Sequence, residues 1–98
     1  MDRFEIQDIN GMVGVDDGFF GTVVFSFNDD LDGLDVTHHV TVKVRVKVSS
    51  DAPIRDMQEA LYRKAVEQLG RALQGSEGKT AQQLLSEDRE IWDEQNKP

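Results

Sequence analysis

His39-Val40-Thr41-Val42-Lys43-Val44-Arg45-Val46-Lys47-Val48 places valine at every even position and a polar residue at every odd one. Successive side chains on a strand point to opposite faces, so the run builds one wall of five valines and another of Thr41, Lys43, Arg45 and Lys47. One face of a sheet is thereby assigned to a core. The other is left polar and cationic.

Working back from this strand, residues 19–27 (Phe-Phe-Gly-Thr-Val-Val-Phe-Ser-Phe) are aromatic and β-branched, with Val23, Phe25 and Phe27 on one face and Thr22, Val24 and Ser26 on the other. Phe20 shares the outward parity of Val24. Asn28 to Asp35 reads as a polar connection, and an antiparallel hairpin is the simplest way for the valine strand to return. Further upstream, Phe4 and Ile6 with Arg3, Glu5 and Gln7 indicate a first strand over 3–8, closed by the turn signal Asn10-Gly11. Residues 12–15 read either as a short strand or bulged continuation, stopped by Asp16-Asp17-Gly18, which is the expectation, or as an irregular loop carrying three glycines between Gly11 and Gly18.

Working forward, the period changes after Ser49-Ser50-Asp51. Ile54, Met57, Leu61, Ala65, Leu69 and Leu73 follow at spacings of three or four, which predicts a helix over 53–74 capped by Ser50 or Asp51, with Pro53 in its first turn and Gly75 as its stop. That helix should lie on the valine face. Thr80 and Gln83 form a capping-box pair for a second helix over 81–94, which either docks through Leu84, Leu85 and Trp92 or frays, and residues 95–98 are expected to be a disordered tail. The fold class is α+β: one domain over 1–98, an antiparallel meander of three to four strands over 3–48, one long helix on one face and a second C-terminal helix.

The 98 residues carry a formal net charge of −8 and no cysteine. Without cysteine there is no disulfide scaffold, no thiolate chemistry and no cysteine-ligated metal. No apolar run approaches the ~20 residues needed to cross a bilayer, so a soluble cytoplasmic protein is expected, without membrane contact. The charge is uneven. Residues 1–36 hold nine acids against Arg3, residues 40–50 hold three cations and no acid, and residues 76–98 hold six acids against three bases. An acidic chain repels phosphate, which makes nucleic acid an unlikely partner.

Three local motifs suggest chemistry and fail on spacing. Gly78-Lys79-Thr80 ends like a phosphate-binding loop, but position 73, where the first glycine belongs, is Leu73, and a helix rather than a strand precedes it. Asn28, Asp30, Asp32 and Gly33 match the start of a calcium loop, whose closing glutamate would fall on His39. His38 and His39, the only histidines, point to opposite faces of a strand and do not share a metal easily. No serine stands in a nucleophile-elbow context. The sequence therefore calls for no catalytic residue, no cofactor and no metal.

What remains is a contact surface. Phe20, Val24, Thr41, Lys43, Arg45 and Lys47 share the outer face, apolar surface beside cations. The expected function is a non-enzymatic protein-interaction, regulatory or inhibitor module, whose partner is another protein, a basic one suiting the acidic surface, or a second copy of itself. The alternatives are a homodimeric structural protein pairing through that face or a strand edge, and a ligand- or nucleic-acid-binding module built on Lys43, Arg45 and Lys47.

Overall fold

The structure, a computed structural model, describes residues 1–95. Three strands, β1 (Arg3–Gly11), β2 (Gly18–Leu31) and β3 (Leu34–Lys47), pair antiparallel in the order β1-β2-β3, followed by α1 (Ile54–Ser76) and α2 (Ala81–Gln95). This is the expected α+β meander, with three strands rather than four. Phe4 pairs with Phe25 and Phe25 with Val40, and Ile6 pairs with Val23 and Val23 with Val42, so one inner face collects the apolar set of all three strands.

α1 covers that face. Val23, Phe25, Val44, Met57, Leu61 and Ala65 are buried together, with Ile6, Ile9, Phe19, Val42, Val46 and Leu69 packed around them. The valine wall is shorter than the alternation implied: Val44 is buried, Val42 and Val46 are half-buried, Val40 lies at the exposed margin and Val48 falls beyond the strand end. Phe27 is likewise exposed, because it stands outside the helix's footprint. The helical stripe is also trimmed, with Ile54 and Leu73 both exposed. Positions 61, 65, 69 and 73 advance by four, and each step of four rotates about 40° past a full turn, so Leu73 stands roughly 120° around the helix from Leu61.

Several boundaries differ from the sequence expectation. β1 continues to Gly11 because a bulge between Gln7 and Asn10 absorbs the phase jump from Ile6 to Ile9 and returns Ile9 to the inner side. Asp8 takes φ +55° at that bulge. Asn10-Gly11 therefore sits in a strand, and residues 12–15 are no strand: they form a turn tied by Met12 N–H to Gly18 O at 2.8 Å. β2 and β3 run through the supposed polar connection and meet at a two-residue turn, Asp32-Gly33, with φ of +51° and +88°. Both central residues lie in the left-handed region that a tight hairpin demands, so the charges of 28–35 mark a solvated ribbon and not a loop.

Neither Ser50 nor Asp51 caps α1. Its N-cap is Pro53, without a side-chain bond, and Asp17 holds the preceding turn instead, accepting from Ser50 N–H through Oδ1 (2.9 Å) and from Val48 N–H through its carbonyl (2.9 Å). The helix also passes Gly75 and ends at Ser76, whose hydroxyl donates back to the Ala72 carbonyl at 2.8 Å. The expected box starts α2: Thr80 N–H donates to Gln83 Oε1 (2.7 Å) and Gln83 N–H to Thr80 Oγ1 (3.2 Å). The expected tail at 95–98 begins inside the helix at Gln95, and residues 96–98 lie outside the described residues.

Among the described residues α2 docks little, although Leu84 is half-buried. It has no extensive interface with the sheet or α1 among them, and Leu85 and Ile91 are 61% and 57% exposed. With the β2–β3 arm, it extends the molecule to a Cα radius of gyration of 17.4 Å, against about 13 Å for a compact chain of this length. The shortest dimension, 19 Å, accommodates the sheet and one layer of helix. The face opposite α1 stays open.

Candidate functional site

The open outer face is built by the odd positions of β3 and the even positions of β2. Register sets Val24 beside Thr41, Thr22 beside Lys43, Phe20 beside Arg45 and Gly18 beside Lys47. All six residues expected on this face are there. Thr41, Lys43, Arg45 and Lys47 are exposed, and Phe20 keeps 40% of its surface accessible.

Phe20, Lys43 and Arg45 do more than share a face. With Asp8 and Thr22 they line one depression of about 360 Å³, floored by the backbone of Gly21 and Val44. Val24 and Thr41 lie a step further along the sheet, and Lys47 a step beyond Arg45, outside that rim. Asp8 and Thr22 are the members the sequence did not single out. Parity placed Thr22 there, whereas the placement of Asp8 depends on the bulge, whose only sequence signal is the irregular spacing of Ile6 and Ile9.

The electrostatics are unbalanced. Among the described residues none of Lys43, Arg45 and Lys47 has an ion-pair partner within 4.0 Å, in a chain with 19 acids. Glu5, the natural cross-strand counter-charge, is engaged by Arg3 at 2.6 Å and by the Gln7 amide. The cations continue around the free edge of β3, where Lys43 and Arg45 border a second recess with Lys64 and Gln68 of α1. The opposite imbalance sits on the arm: Asp30 pairs directly with Asp35, two carboxylates on the same outer face.

Between the two lies Ser26, paired with His39. Ser26 is 5% exposed and its hydroxyl stands 2.9 Å from His39 Nδ1. Among the described residues no carboxylate orients that imidazole, so the pair is a cross-strand hydrogen bond rather than a primed nucleophile. His38 points to the other face, 3.5 Å from Asp29. Among the described residues no three histidine or acidic side chains converge on one point, and Lys79, in the loop that resembled a phosphate cradle, is bound to Glu87 at 2.9 Å between two helices. No described helix is long and apolar enough to cross a membrane.

No family model matches the chain, and neither a curated protein nor a solved structure is significantly similar to it.

Proposed function

We propose that this protein is a non-enzymatic interaction module and that the outer sheet face is its contact surface. One observation carries the assignment: Lys43 and Arg45, without ion pairs among the described residues, flank exposed Phe20 in a depression that neither helix covers. An apolar anchor ringed by available cations is suited to a protein surface carrying carboxylates. The acidic remainder of the chain repels nucleic-acid phosphate, which disfavours DNA or RNA as the ligand of the same cations. A soluble, cytoplasmic role as a regulator or inhibitor of its partner is the setting we assign.

The test is capture from the native host at low and moderate salt, with the natural chain and a Lys43→Glu/Arg45→Glu variant as baits, after circular dichroism has shown that both fold. The natural bait should retain a specific partner, or untagged copies of itself, that the variant loses. Recovery of the same proteins by both baits, or of none, overturns the proposal.

A further inference from the structure

The outer face is a dipole. At one end Lys43 and Arg45 stand without ion pairs among the described residues, and at the other Asp30 and Asp35 face each other across β2 and β3. Along β3 the midpoint of residues 35 and 43 is His39; along β2 the midpoint of residues 22 and 30 is Ser26. Ser26 and His39 are register partners, so the two strands place the midpoint on one rung.

We infer that the partner of this face is a second copy of the chain, packed outer face to outer face with strands antiparallel, about a two-fold axis passing over the Ser26/His39 rung. The inference rests on the assignment of this face as the contact surface. A two-fold axis lying between the sheets and perpendicular to the strands reverses strand direction while keeping β2 over β2 and β3 over β3. Asp35 of each copy then lies over Lys43 of the other, with Asp30 and Arg45 flanking them, and each cluster finds its counter-charge twice. Asp30, Asp35 and Lys43 each sit four residues from the axis, about 13 Å along the strand, and Arg45 sits six residues from it, about 20 Å.

The contact is isologous and closes at two copies. It also accounts for the arm: beyond Ser26 the sheet has only two strands, because β1 starts opposite that residue at Arg3. In the pair, this narrow ribbon lies over the wider three-stranded half of its neighbour. Overlap from Phe20 to Asp32, which the axis sets over each other, covers about 40 Å of strand by about 12 Å of width, roughly 1,000 Å² of projected surface over the two copies. That lies below the standard range for stable complexes, so the dimer is of the weak, reversible kind.

The test is sedimentation equilibrium of the full chain from about 10 µM to about 1 mM, a span set by so small an interface. The natural chain should show a reversible monomer–dimer equilibrium. Lys43→Glu/Arg45→Glu and, separately, Asp30→Asn/Asp35→Lys should each weaken self-association at least about tenfold by setting like charges against each other. Asparagine at 30 keeps the side-chain oxygen that accepts Gly33 N–H at 2.8 Å, so the turn survives. Mixing the two variants should restore a one-to-one dimer, because each then offers the charge the other lacks, and restoration requires both to be folded. A natural chain that stays monomeric throughout overturns this dimer and leaves the contact face to be judged by partner capture. A dimer that neither variant weakens uses another surface and likewise overturns this dimer, the contact face again being judged by partner capture.

Discussion

Gly21 of β2 lies under Leu61 of α1 so closely that a Cβ on the glycine would stand 2.9 Å from the leucine Cδ1. Leu61 is fully buried, so its side chain can give way only by repacking against its neighbours. The missing side chain at 21 is what lets the helix settle on the sheet at the rung where Gly21 meets Val44. Gly21→Ala should therefore cost about 1–3 kcal/mol by overpacking. Leu61→Ala should cost about 2–5 kcal/mol through the cavity it leaves. The double variant should lose less than the sum, since the added methyl partly fills that cavity. Urea denaturation of the three variants measures the coupling, and strict additivity would show that the two positions do not share one packing site.

Much of this arrangement was legible in the sequence wherever one face of an element is buried and the other wet. The valine alternation gave β3 and its two faces, the spacing of Met57, Leu61 and Ala65 gave the covering helix, and Thr80 with Gln83 gave the start of α2. Strand ends were not legible by the same logic. Residues 28–31 and 34–37 are exposed apart from half-buried Val36, so no hydrophobic period marks them, and the hairpin rests on backbone pairing and on the left-handed tolerance of Asp32-Gly33. Ser49 to Asp51 offered several caps, whereas the observed turn is held by Asp17, thirty-three positions from Ser50, a contact that no local pattern encodes. Of the candidate site, the strand residues followed from parity alone, and Asp8 required knowledge of the bulge.

The bulge at Asp8 makes its own prediction. At φ +55° a β-branched side chain is in steric conflict with its own backbone, whereas glycine is at ease. Asp8→Val should destabilise by about 1–2 kcal/mol, while Asp8→Gly should be neutral or mildly stabilising. Thermal denaturation followed by circular dichroism separates the two. Equal loss in both would mean that the aspartate carboxylate, not the backbone conformation, sustains this site.

The arm carries a like-charge pair that a single substitution removes. Asp35→Lys converts the Asp30–Asp35 repulsion into attraction and leaves the Asp30 bond to Gly33 N–H intact. Cross-strand pairs of opposite charge contribute about 0.2–1 kcal/mol, so the Leu31 and Leu34 amides of the monomer should exchange with solvent about 1.5- to 5-fold more slowly. Hydrogen exchange read by NMR in dilute solution resolves this without interference from association. Faster exchange would show that the arm depends on its carboxylates in some way other than their mutual repulsion.

α2 poses the sharpest question of local against tertiary stability. Fifteen residues form a helix that has no extensive interface with the sheet or α1 among the described residues, yet isolated helices of that length are marginal in water. What the structure offers at its start is the reciprocal Thr80/Gln83 box and the Lys79–Glu87 pair at 2.9 Å. Removing the hydroxyl should therefore act on this helix alone. Thr80→Ala should cost about 1 kcal/mol of local helix stability and lower the helical circular dichroism signal, while the denaturant midpoint of the β1–β3 and α1 core stays unchanged. A fall in that midpoint would reveal that α2 is coupled to the core through contacts beyond its own first turn.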